Sequence, residues 1–323
     1  MLASTLPLLT IIASTPSVSF GWGVFISPNG IPTISLNDGG DRIAVGSDAG
    51  EMFLLESSKS GPTRRVLSCK GWFPTFFGPS DLVFYRDSCV WSIPLDAGRE
   101  PKMLFRLAGA CTALVASRKE GKIVVGSDNN VITEWDVASR TSHTYGSHGR
   151  FIVGALTFDS EHDVVAAVDS TPIVFGGIDR IGHSLDEASN SIIHKGYVDR
   201  LAWNGPTKSL VSGGQDRFIA LSRRRGSGAA MSFERRIALL AGRPVALGLS
   251  EDGSRLIAAI AARQKPNEPT SVNAVEVRSL PSGRRIARVP VGATVTAASV
   301  SRNGRVVVVA TLSGMVLTYE VSK

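Results

Sequence analysis

The feature that most constrains this chain is a spacing. Short apolar runs open at Ile43, Leu82, Ile123, Val164, Leu210, Leu256 and Val306, separated by 39, 41, 41, 46, 46 and 50 residues. Each is preceded by an alternating stretch and followed by a turn rich in Gly, Asp, Ser or Asn that leads into another strand-like run. A period near 40–45 residues with about four strands per unit is the pattern of propeller blades, small sheets set radially around an axis. No such unit buries enough surface alone, so each must pack against its neighbours.

The clearest unit is Gly121 to Arg140, GKIVVGSDNNVITEWDVASR. Ile123, Val124 and Val125 are β-branched and fit a pleated, covered surface. Gly126 to Asn130 supplies the small and Asx residues that tolerate tight-turn dihedrals. Val131, Thr133 and Trp135 then alternate with Ile132, Glu134 and Asp136, as in a strand with two unlike faces. The first segment reads RIAVGSDAGEMFLLE, the fifth SLVSGGQDRFIALSR and the last VVVVATLSGMVLTYE, all aligning on the same turn. The 33 glycines and 16 prolines fall between apolar runs, and no stretch has the period and caps of an amphipathic helix.

These repeats resemble the WD-repeat family of β-propellers over essentially the whole chain. Trp135-Asp136 keeps the dipeptide that names the family, and the segment HKGYVDRLAW places His194, Val198, Leu201 and Trp203 at the spacing found after a blade-joining histidine. His148 and His194 are the nearest relics of the family's Gly-His. The resemblance implies a hydrogen-bonded set of Asp, His, Ser/Thr and Trp in each blade. Alignment puts Asn129 and Asp216 at its turn position and Trp135 and Ser222 at its tryptophan position, so neither blade is complete and apolar packing is expected to hold the ring. The expected fold is a seven-bladed all-β propeller over residues 20–323, with 1–19 as an N-terminal extension. The chain stops just after a third strand, so an N-terminal strand should complete the last blade and remove its open edge. Phe20 to Ile26 is the first candidate and Leu8 to Ala13 the second.

Catalytic chemistry has no motif to carry it. The sequence contains no His-Glu-x-x-His, Cys-x-x-Cys, nucleophile elbow or phosphate-binding loop. His148, His194, Asp216, Trp135 and Asp136 are read as structural, and no metal, cofactor or small-molecule substrate is expected. Cys69, Cys89 and Cys111 share no ligand spacing and read as free thiols of a reducing, intracellular compartment. Leu6 to Ala13 is far shorter than a membrane span. It serves as a strand, a docking segment or a targeting peptide.

Binding signals are stronger. Trp72, Phe73, Phe151, Tyr197 and Arg243 lie just before the first strands of their units, and aromatic and arginine residues dominate interface hot spots. Trp72 or Phe151 could equally wedge between blades. Charge is uneven: residues 217–323 carry 17 basic and 6 acidic side chains, whereas 1–216 carry 18 and 22. Arg217, Arg223, Arg224, Arg225, Arg235, Arg236 and Arg243 face only Glu234 within 217–243. A basic sheet edge also deters edge-to-edge aggregation. The long turn Ala262 to Ser271 is a further candidate contact. The expected function is a non-enzymatic scaffold or adaptor subunit that holds acidic or extended-peptide surfaces of other protein subunits. A basic ribonucleoprotein subunit gripping RNA phosphates through the arginine edge is the alternative.

Overall fold

Each apolar run is the second strand of a four-stranded antiparallel sheet. This is seen in a computed structural model that describes residues 17–27, 30–56, 62–95, 99–129, 131–146, 153–158, 164–168, 171–175, 183–184, 194–224, 231–239, 242–262 and 273–322. The second strands are continuously apolar because both faces are covered. Ile43 to Val45, Leu82 to Phe84, Ile123 to Val125 and Val307 to Ala310 are all buried.

Six sheets are blades of four successive strands, numbered here 1 to 6. Their inner strands are Thr33–Leu36, Trp72–Phe77, Cys111–Ser117, Val153–Phe158, Val198–Asn204 and Gly242–Leu249. The remaining sheet is composite. Val295–Val300, Val306–Thr311 and Met315–Val321 come from the C-terminal end of the chain, and Val18–Phe25 forms the outer edge. The expectation of a seven-bladed propeller is therefore corrected to six blades of successive strands, with a closing sheet drawn from both ends of the chain. The closing strand begins at Val18, two residues before the expected start, and runs antiparallel with Val18 opposite Val321 and Phe25 opposite Met315. Ser17 and Ser322 extend the clasp, the Ser322 amide donating to the Ser17 carbonyl at 2.9 Å.

Successive inner strands pack side by side from blade 1 round to the closing sheet and back to blade 1. Apolar clusters fill each gap. Val211, Ile219, Ile237, Leu247 and Ile260 join blades 5 and 6, and Val275, Val277, Val307 and Tyr319 join blade 6 to the closing sheet. Every inner strand except that of blade 1 carries a β-bulge near its start, for example between Cys111 and Ala113 and between Val295 and Ala297. The extra residue turns its side chain to the next sheet. Thr112 Oγ1 donates to the Val153 carbonyl at 2.8 Å and Thr296 Oγ1 to that of Ile31 at 2.7 Å. In blade 5 the residue after the bulge, Arg200, donates from Nε to the Val245 carbonyl.

Arginines make a second set of ties. Arg42 donates to the Pro79 carbonyl at 2.7 Å, Arg65 to Leu95 at 2.6 Å, Arg235 to Ser282 at 2.8 Å and Arg255 to Ser322 at 2.9 Å. Each reaches from one sheet to the next, a use that suits a rigid, multidonor fork. Cys69, Cys89 and Cys111 are buried free thiols. Among the described residues no helix is long and apolar enough to cross a membrane.

Two glycines test the closure. Gly314 has φ +78° and its missing Cβ would fall 1.5 Å from the Ser27 carbonyl oxygen, whereas Gly121, at φ +64°, has open space. Gly121→Ala should cost about 1–2 kcal/mol, the penalty for a left-handed L-residue. Gly314→Ala should cost clearly more, because the backbone of the closing segment must move as well; urea unfolding midpoints of the two variants decide this. Trp135 stacks on Phe105 of blade 2 at 5.1 Å between ring centroids but is only partly buried. Its replacement by alanine should cost about 2 kcal/mol, below the ~3–5 kcal/mol of a fully buried aromatic, measured in the same way.

Candidate partner-binding site

Backbone hydrogen bonds define one end of the ring. Where inner strands begin, the incoming segment is pinned to the turn between second and third strands. Gly71 donates to the Gly50 carbonyl at 2.8 Å, and Gln215 to Tyr197 and Leu312 to Thr294 at 2.9 Å each. This entry face carries Trp72, Phe73 and Tyr197, the aromatic candidates among the described residues, and the structure separates them into two kinds.

Trp72 and Phe73 open the inner strand of blade 2 and turn inward. The Trp72 ring lies over the Gly50 turn of blade 1, where a Cβ on Gly50 would meet it at 3.1 Å. Phe73, held at φ +53°, packs into the cluster between blades 2 and 3. Both therefore serve inter-sheet packing. Tyr197 projects instead, 49% exposed. Arg243 is exposed at the start of blade 6's inner strand. Leu312, at the tip of a closing-sheet turn, is 61% exposed on the same face. Sequence reading missed it because a leucine in a Thr-Leu-Ser-Gly turn looks like any other strand end. Phe151, His148, Arg225 and all but the first residue of the long Ala262 to Ser271 turn lie outside the described residues.

Beneath Tyr197 sits a buried polar relay. His194 Nδ1 lies 3.0 Å from Asp216 Oδ1, and His194 Nε2 lies 2.9 Å from Ser212 Oγ. The other carboxylate oxygen accepts the Lys195 amide at 2.9 Å and Arg236 Nη2 at 2.8 Å. Burial holds the His194 ring below its ordinary pKa, against the opposing pull of Asp216. A neutral ring donates through Nδ1 to the carboxylate and accepts the Ser212 hydroxyl at Nε2. Burial alone would raise the Asp216 carboxyl, but the Lys195 amide and His194 outweigh it and leave the group below the usual carboxylate range. The order Ser, His, Asp is that of a hydrolytic triad. His194, however, is wholly buried and Ser212 only 2% exposed, so no substrate carbonyl reaches the hydroxyl. This trio fixes the incoming segment to the blade.

In blade 3 the equivalent bond comes from a neighbouring residue. Asp128, and not the aligned Asn129, accepts the Ala110 amide, at 2.8 Å. Asn129 turns to Ser127, and Asp136 caps its own turn by accepting the Ser139 amide at 2.8 Å. The tryptophan position of blade 5 is filled by buried Ser222, which leaves the relay without its fourth partner.

The arginine edge is also divided. Arg236 pairs with Asp216 and covers the Phe218 ring at 4.5 Å; Arg235 is tied to Ser282, and Arg223 lies 3.3 Å from Glu234. Arg224 ends the third strand of blade 5, and Arg217 sits in the turn at the entry face, apart from them. Blade 6 continues the basic edge: buried Glu276 holds Arg278 at 2.7 Å, with Arg285 and Arg288 each at 3.6 Å. The only hint of this cluster in the sequence was the overall basicity of the C-terminal third. Among the described residues no group of three or more His, Cys, Asp or Glu side chains could hold a metal ion.

Compared with known proteins, the chain matches no protein-family model and no curated protein.

The relay sets a pH dependence. His194 has a lower pKa folded than unfolded, so the unfolded chain binds more protons once pH falls below about 6.5. Stability should be full above that value and decline as pH drops through it toward the folded pKa. Asp216 adds its own loss only in stronger acid, below about 3.9. Urea midpoints recorded between neutral and mildly acidic pH should fall for the native chain. His194→Gln should be less stable throughout but show a shallower fall.

Proposed function

We infer that the chain is a degenerate WD-repeat propeller acting as a non-enzymatic scaffold or adaptor, intracellular in location, that holds another protein subunit on its entry face. The carrying observation is the exposure of two large apolar side chains, Tyr197 and Leu312, on that face of a rigid ring. Isolated exposed hydrophobics are ordinary, but an aromatic with a polar tip beside an arginine is the composition of an interface anchor. Arg243, exposed on the same face at the start of the next blade's inner strand, selects for carboxylates or carbonyls on the partner. The Asp216–His194–Ser212 relay supports kinship with WD repeats, since it supplies three of the four members expected of one blade.

A protein ligand is favoured over RNA because three of the arginines of blade 5 are used within the chain. Arg223, Arg235 and Arg236 each have an internal partner, and Arg236 is additionally committed to a ring. RNA contact of the single-stranded kind also requires aromatic stacking surfaces beside the cations. Phe233 is 39% exposed on that edge and is the single large aromatic there among the described residues.

Affinity purification of the native chain and of Tyr197→Ala/Leu312→Ser tests the reading. The native chain should retain specific co-purifying proteins in moderate salt, and the double variant should lose them by about tenfold or more while keeping its unfolding midpoint. Retention of only nucleic acid, released steeply by salt, would replace this reading with the RNA one.

A further inference from the structure

The end of the ring opposite the entry face carries a feature that the scaffold reading does not use. A cavity of about 640 Å³ lies among turns of the closing sheet and blades 1, 2 and 3. Four successive sheets share a wall only near the axis, so this is the mouth of the central channel. Its size falls within the ~300–1,000 Å³ of ordinary ligand pockets.

Its lining is polar and of both signs. Blade 3 contributes Arg118 and Lys119, the closing sheet Arg302, and blade 1 Asp38, Asp41 and Arg42. Several of these are already engaged. Arg42 is held by Glu56 at 3.1 Å and by the Pro79 carbonyl at 2.7 Å. Arg302 and Asp38 form a loose rim pair at 3.6 Å, both largely exposed. Lys119 reaches Glu120 only at 3.9 Å. The Arg118 side chain is exposed and makes no ion pair or hydrogen bond among the described residues. Its stem is nevertheless placed: Gly78, at φ +75°, leaves open the space it crosses, where a Cβ would come within 2.5 Å of Arg118 Cδ. On the opposite wall Asp41 Oδ1 accepts from Asn37 Nδ2 at 2.7 Å, and its second oxygen has no donor among the described residues.

We propose that this cavity is a second docking site, taking an extended acidic segment of a protein partner. A carboxylate side chain of the segment pairs with Arg118 and Lys119, and a backbone N–H donates to the free oxygen of Asp41. A chain that carries both donors and negative charge matches a wall of both signs. A phosphodiester backbone does not, because it carries no N–H donor for Asp38 and Asp41 and leaves those acceptors unmatched. No exposed aromatic lines the cavity for base stacking, since its one aromatic, Phe76, is buried. The inference rests on the scaffold reading for the class of ligand but concerns different residues.

Fluorescence anisotropy with labelled poly-glutamate, poly-lysine of equal length and oligo-dT of equal charge provides the test. Poly-glutamate should bind saturably and poly-lysine should not. Arg118→Glu should weaken poly-glutamate by roughly tenfold or more, the loss expected for a charged hydrogen-bonded contact. Lys119→Glu, on an exposed side chain, should do the same and stands in if Arg118→Glu disturbs the Gly78 turn. Unchanged poly-glutamate binding by both variants, no preference over poly-lysine, or tighter binding of oligo-dT would each overturn the proposal. Tyr197→Ala/Leu312→Ser should leave the anisotropy signal intact, so failure at the entry face and failure at the channel mouth are read separately.

Discussion

Every sheet in this protein depends on its neighbours for the burial of its faces. The second strands are apolar on both sides, and nothing within a four-stranded unit can cover them. Val275 and Val277 of blade 6 are dry only because Val307, Val309 and Tyr319 stand opposite. Opening the ring at any gap would expose two such surfaces at once. The clasp of Val18–Phe25 on Met315–Val321 is therefore the contact on which the rest of the ring depends.

Polar contacts refine that closure without supplying its main driving force. The inner-strand bulges place Thr112 and Thr296 against carbonyls of the next sheet, and Arg200 reaches one from beside its bulge; a lost bond would leave an acceptor unpaired. Arginines do the same further out. A chain with 26 arginines and 9 lysines looks from composition like an anion binder. Arg42, Arg65, Arg235 and Arg255 instead bridge sheets through backbone carbonyls. The side chains left exposed for the proposed contacts are fewer: Tyr197, Arg243 and Leu312 at one end, Arg118 and Lys119 at the other.

The two ends differ in how far they could be foreseen. Tyr197 and Arg243 were singled out for lying where inner strands start, and the structure shows both side chains exposed there. Trp72 and Phe73 satisfied the same rule and yet pack inward, since a large aromatic at that position serves an inter-sheet gap as well as an interface. Asp128 took the role aligned to Asn129 because hydrogen bonding depends on where a turn points its oxygen, and alignment records only order. The channel-mouth cavity had no sequence signature at all. Its walls come from turns more than 260 residues apart in the chain, Asp38 and Arg302 among them.

By itself the sequence determined the class of fold: a repeat of apolar second strands between glycine-rich turns permits radially packed sheets and little else, because period and hydrophobic pattern are local properties. It also implied that the last sheet would need a strand from the N-terminus, since that sheet would otherwise end on an open edge. Only the tertiary structure decided where the closing strand starts and how it registers on Met315–Val321, which aromatic side chains face water, and which arginines are already paired. Those outcomes depend on the distance and direction between residues far apart in the chain, and such geometry exists only once the ring has closed.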